Sequence, residues 1–306
     1  MDDLLRSYEA FFTDERNGYY FPNEDSDGLL LEREKNFIAR ILDDSKDISE
    51  SNLAMQRSFN TFNLLGHYAL ASAEDRERFL ENFALSSLYG YYAILLTQET
   101  RKYFEDVALI EQLYLCEYIA SLLLCSWQKE VEISIDMVIQ ELNKENARFL
   151  MDVQDNQYNV ILYFILELYA KMKNIELDTG ELKLPSFTYP YDKVIESYDT
   201  VDVNEVDKWV YILCERRLEF IKEDEKFQHI TRQLFPYEIL TWIKLREEQG
   251  LENPKEYSHS LMNTPIAKMF LEIKEPLPKP KELPYAKEIL EKLKEKCPQI
   301  EITEES

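Results

Sequence analysis

Apolar positions along this chain recur at helical spacing. Phe37, Ile38, Ile41 and Leu42 form an i, i+1, i+4, i+5 stripe, and Phe79, Leu80, Phe83, Ala84, Ser87, Leu88 and Tyr91 repeat it in a later segment. Punctuation agrees. No proline lies between Pro22 and Pro185 and no glycine between Gly90 and Gly180, although strand-rich folds need frequent turn residues. Helices are expected near 29–44, 52–71, 73–98, 103–128, 134–151 and 155–173, then near 190–197, 204–222, 236–248 and 286–296. Capping signals place several starts: Ser72-Ala-Glu-Asp75 and Asn204-Glu-Val-Asp207 resemble capping boxes, and Ser134 and Asp155 can accept from the first amides of the helices after them. Segments 113–127 and 158–170 are apolar nearly all round and should be central. The expected class is all-α: an irregular multi-helix bundle of antiparallel helical hairpins without a solenoid period, with either a linker or a small hairpin near 176–190.

The punctuation returns between Asn174 and Pro190, which divides the chain into an N-terminal helical half, 1–174, and a C-terminal half, 175–306. The two halves are either separate domains or one continuous pack. A second punctuated stretch, Glu275-Pro-Leu-Pro-Lys-Pro-Lys-Glu-Leu-Pro284, reads as an extended strap leading to a lysine-rich terminal helix. With 306 residues, of which 45% are hydrophobic and 31% charged, the chain can bury its own core without a metal or disulfide staple.

Charge narrows the partners. The formal net charge is −24, so phosphate backbones and anionic membrane surfaces should be repelled and a basic protein attracted. The chain opens Met1-Asp2-Asp3-Leu4-Leu5-Arg6, acidic where a secretory signal is basic. The most apolar window carries Glu117, and a membrane span needs about 20 apolar residues. Cys116, Cys125, Cys214 and Cys297 form no C-x-x-C pair. A cytoplasmic protein with reduced cysteines is expected.

Catalytic signatures are absent from the sequence. His67, His229 and His259 are far apart, and no H-E-x-x-H, P-loop, G-x-G-x-x-G or G-x-S-x-G occurs. Glu256-Tyr-Ser-His259 has the E-x-x-H spacing of di-iron bundles, but those sites need two such motifs and further inward glutamates. Trp127, Trp209 and Trp242 lie on helical sequence as core residues. Neither catalytic residues, metal ligands nor a cofactor are expected.

The acids are unevenly spread. Residues 192–207 hold Asp192, Glu196, Asp199, Asp202, Glu205 and Asp207 against Lys193 alone, with Tyr189, Tyr191 and Tyr198 close by. The stretch 14–27 repeats the pattern, with Asp14, Glu15, Glu24, Asp25 and Asp27 around Tyr19, Tyr20 and Phe21. Carboxylates steer a basic partner, and tyrosine supplies rigid contact area at low entropic cost. The partner-binding set is therefore Tyr189, Tyr191, Asp192, Tyr198, Asp199, Asp202, Glu205 and Asp207.

The most distinctive run is Phe235-Pro-Tyr-Glu-Ile-Leu through Gly250, followed by His259-Ser-Leu-Met-Asn-Thr-Pro265. It predicts a helix with proline near its first turn and glycine at its C′ end, with Ile239, Leu240, Ile243 and Leu245 on the buried side, then a short helix begun by Pro265 and capped by Thr264. Over about 235–265 the chain resembles immunity protein family 49 of bacterial polymorphic-toxin systems. That resemblance implies a protein that binds and neutralises a cognate toxin without catalysis. The alternative is an acidic helical scaffold or adaptor that recruits a basic protein.

Overall fold

The computed structural model describes residues 2–13, 32, 35–40, 43, 51–73, 75–104, 110–142, 157–177, 189–223 and 230–302. The acidic stretch 14–27, most of the expected linker or hairpin near 176–190, Asp155 and parts of the expected helices 29–44 and 134–151 lie outside them. The described residues form helices and turns with no strand, as the all-α expectation required. In chain order the α-helices are α1 (Asp2–Thr13), α2 (Ser51–Ala73), α3 (Arg76–Thr100), α4 (Gln112–Cys125), α5 (Gln128–Leu142), α6 (Gln157–Lys173), α7 (Tyr191–Glu196), α8 (Val203–Glu223), α9 (Ile230–Gln233), α10 (Tyr237–Glu248), α11 (Pro265–Glu272) and α12 (Ala286–Lys296). A 3-10 turn (Ser260–Asn263) precedes α11.

The chain divides into two compact units, one of residues 1–8 and 111–276, the other of 9–110 and 277–306. The break expected after residue 174 instead falls inside the first unit, because α7 returns to pack on α6, with Tyr191 edge-on to Phe164 at 4.9 Å.

In the second unit, α2 and α3 form a hairpin, and α12 packs on α2. Gly66 lets the two backbones approach: a Cβ there would lie 3.2 Å from the Phe79 carbonyl oxygen. Phe62 stacks on Tyr89 at 5.4 Å, and the Arg57 guanidinium sits 4.1 Å from the Phe37 ring centroid. The cap of α3 is Asp75, whose side chain accepts from the Arg78 amide at 3.0 Å. α2 runs on through Ala73, so the cap of α3 lies three residues later than Ser72 suggested.

In the first unit α4, α6 and α10 pack against one another as the core. The all-round apolar pattern located α4 and α6 correctly: Leu115 to Cys125 are all buried, as are Ile161 to Leu166. α10 departs from the expected one-sided burial, since every residue from Tyr237 to Arg246 is buried, charged ones included.

The acid among them, Glu238, is neutralised inside. Arg217 on α8 is fully buried; its Nη1 donates to both Glu238 oxygens at 2.8 and 2.6 Å, and its Nη2 donates to the carbonyls of Arg232 and Phe235 at 2.6 and 2.7 Å. Arg232 in turn pairs with Glu117 of α4, with Nη2 to Oε2 at 2.9 Å. Glu117, the one acid of the apolar window, is thus a core residue with a dedicated cation.

Three helices of this unit end with the same turn. Ser126, Asn174 and Gly250 have φ of 57°, 52° and 70°. In each, two amides fold back on the last carbonyls: Ser126 N to Leu123 O and Trp127 N to Leu122 O, Asn174 N to Lys171 O and Ile175 N to Ala170 O, Gly250 N to Glu247 O and Leu251 N to Arg246 O. This is the Schellman closure. Glycine marked only the last of them. Without a glycine at 126, the break between α4 and α5 was expected near 128–134, and Ser134, expected as a cap, is buried within α5. At the start of α8 the accepting side chain is Asp202, to Asn204 N at 2.9 Å, and Asn204 lies inside the helix.

Two outcomes follow from these features and are read by urea denaturation. Gly250→Ala should cost about 1 kcal/mol, since nothing lies within 4 Å of a Cβ there and the penalty is backbone alone; Ser126→Gly should recover a similar amount. Arg217→Met or Glu238→Leu alone should cost about 3 to 5 kcal/mol, whereas the double substitution should return most of the loss, because only the single changes leave a buried charge unpaired.

Candidate partner-binding surface

The acid-bearing turn between α7 and α8 is held from beneath by one cation. Arg246, fully buried on α10, donates Nη1 to the Tyr198 carbonyl at 2.9 Å and Nη2 to the Thr200 and Glu252 carbonyls at 2.8 and 2.9 Å. Its Nε donates to Asn253 Oδ1 at 2.9 Å, and Trp242 Nε1 adds a bond to the Tyr198 carbonyl at 3.2 Å. Residues 198–202 are therefore fixed on the core, with Asp199, Val201 and Asp202 exposed on their outer side.

Within this frame the eight expected residues separate by role. Tyr189 is 59% exposed and meets Trp209 edge-on at 6.2 Å, while Lys208 Nζ lies 4.8 Å from the centre of the same indole. Asp199 is exposed. Asp202 is exposed while capping α8, and half-buried Glu205 accepts from the Thr200 hydroxyl at 2.6 Å. Asp207 accepts from the Ser258 amide at 2.9 Å and so ties α8 to the loop after α10. Asp192 Oδ2 faces Lys193 Nζ at 3.8 Å, and its Oδ1 is buried without a hydrogen-bond partner among the described residues. Tyr198 is half-buried, with Lys171 Nζ 5.7 Å from its ring centre.

Tyr191 does not belong to the surface. It is 1% exposed in the α6–α7 contact, and burial, aided by Glu238, pushes its phenol well above the ordinary value. A tyrosine that starts a short helix on apolar neighbours is drawn inward by its ring. The sequence placed it among acids, but three-dimensional packing placed it among Phe164 and its neighbours.

His259, the histidine of the E-x-x-H spacing, is also a structural residue. Its Nδ1 accepts from the Leu261 amide at 3.1 Å and thereby caps the 3-10 turn, so the proton resides on Nε2, which lies 3.0 Å from Glu215 Oε1. Tyr211 packs edge-on at 5.0 Å. With both nitrogens engaged, no lone pair is left for a metal or a substrate proton. Among the described residues no group of three or more His, Cys, Asp or Glu is arranged to hold a metal ion. All four cysteines are buried thiols, and burial raises Cys116 and Cys214 well above the ordinary value. No described helix is long and apolar enough to cross a membrane. Thr264 caps α11 as the sequence implied, accepting from the Ala267 amide at 3.3 Å behind Pro265.

Comparison with family models, with curated proteins and with solved structures returned no match for this chain.

The two roles of His259 can be separated by substitution. His259→Asn retains an acceptor for the Leu261 amide and should be about 1 kcal/mol more stable than His259→Ala in urea denaturation.

Proposed function

We propose that this protein is an immunity protein that binds a cognate toxin and neutralises it by covering a basic active site with the surface around the α7–α8 turn. The observation that carries this reading is the presentation of Asp199 and Asp202 on a turn fixed by buried Arg246, with an exposed Tyr189 on the residues leading into α7. A fixed acidic turn loses little entropy on binding, and its carboxylates steer a cationic cleft toward it. Tyr189, already seated against Trp209, supplies an aromatic anchor at the same place. The resemblance over 235–265 supports the same class, and the segment's role here is internal: Glu238 neutralises Arg217, and Arg246 holds the docking turn. The reading needs no catalytic group on this chain.

Purification of the tagged protein from its own cells, with mass spectrometry of what accompanies it, tests the class. A stoichiometric basic partner that kills cells when expressed alone, and not beside this protein, is the expected result; a harmless basic partner makes the protein an adaptor instead. With the partner in hand, Asp199→Lys and Tyr189→Ala change exposed groups, neither of which caps a helix. Each should weaken binding about tenfold or more, with the lysine change slowing association and flattening its salt dependence. Equal affinity for both variants would remove the interface from this surface.

A further inference from the structure

A groove of about 1120 Å³ opens in the first unit between the C-terminal half of α10, the loop that follows it, α11 and the strap after α11. Lys244, Lys255, Lys268 and Lys274 all line it. Four glutamates share the wall with them, so the groove is formally neutral on a chain of net charge −24. The acids that share the wall are partly spent: Glu247 pairs with Lys274 at 2.6 Å and Glu248 with Lys173 at 3.1 Å, leaving Glu256 and Glu272 at exposed positions.

Lys244 is the residue that asks for an occupant. It is 7% exposed, and among the described residues its ammonium has one hydrogen bond, to the Ile273 carbonyl at 3.2 Å, and no carboxylate within ion-pair distance. An ammonium has three donors, and a buried charge without a counter-charge is costly. Of the other buried cations of this unit, Arg217 and Arg232 each have a carboxylate in contact, and Arg246 has none but donates to four oxygens. The second such group is Tyr257, also 7% exposed, which lines the same groove with a hydroxyl that has no hydrogen-bond partner among the described residues. A largely buried lysine whose ammonium has one hydrogen bond, and a buried hydroxyl without a partner among the described residues, line the same groove and suit an acceptor that carries negative charge. Met262 and Leu271 give the wall an apolar portion suited to an organic body.

We propose that this groove binds a small organic oxyanion, a carboxylate or phosphate ester, whose negative group is held by Lys244 Nζ with Tyr257 Oη as a further donor and Lys268 at the rim. The site is separate from the α7–α8 docking turn, and its occupancy does not depend on whether the protein neutralises a toxin.

Thermal melting of the full-length protein with inorganic phosphate or malonate as probes, each against sodium chloride at matched ionic strength, tests it. A specific upward shift of the midpoint by about 3 °C at tenfold saturation is expected, and which probe produces it distinguishes phosphate from carboxylate chemistry. Lys244→Met should melt no lower than the parent without anion and should lose the shift, because it removes a charge that lacks a counter-charge. Tyr257→Phe, which removes only the unpartnered hydroxyl, should fold normally and weaken the probe by about tenfold. No specific shift with either probe up to ~50 mM, weaker than any physiological ligand contact, overturns the proposal. A shift retained in full by Tyr257→Phe and Lys244→Met overturns it equally.

Discussion

The arrangement of the first unit depends on placing two guanidinium–carboxylate pairs inside a helical core. Arg217 alone joins three pieces of chain: its own helix α8, the segment carrying the Arg232 and Phe235 carbonyls, and the first turn of α10 through Glu238. Arg232 extends the link to α4 through Glu117. Ion pairs of this kind add little net stability over apolar residues of the same shape, since desolvation offsets the attraction. What they impose is position. A sliding α10 would strand Glu238 and leave two backbone carbonyls without donors, so the register of α8, α9 and α10 is set by geometry that an oily contact would leave loose.

The same principle operates one step outward. Arg246 is buried on α10, but its donors point to carbonyls of the α7–α8 turn and of the loop that follows α10. A cation in the core thus dictates where exposed acids stand. Of the acids in 192–207, Asp202, Glu205 and Asp207 are engaged in caps or loop ties, while Asp199 is left to solvent. Acid content along the sequence therefore overstated the free surface charge, because half of these carboxylates also answer backbone amides or hydroxyls nearby.

Much of the fold was legible before any coordinates. The proline-free stretch excluded strands, and segments apolar on every side had to be central, which α4 and α6 are. Local chemistry also served where a signal was unambiguous: Gly250 ends α10, and Thr264 with Pro265 starts α11. It failed where the conformation has no dedicated residue. Ser126 and Asn174 take the left-handed conformation that Gly250 takes, and a serine there gives no warning, so the α4–α5 break was expected several residues late. Tyr191 and Tyr189 differ by two positions and look alike in sequence, yet one is core and the other surface.

Helical class, element count along the well-patterned stretches, burial of α4 and α6 and the excess of acid are properties of the sequence itself, because each is a local or additive consequence of residue type. Which charges are spent and which are free was decided only by tertiary structure. Glu117, Glu238, Arg217 and Lys244 each carry one formal charge, of either sign, in any listing of residues, but three of them meet a counter-charge in the core and Lys244 meets a single carbonyl. Pairing depends on partners up to 115 positions away, and no local pattern encodes a distance of that kind; the packing of helices does.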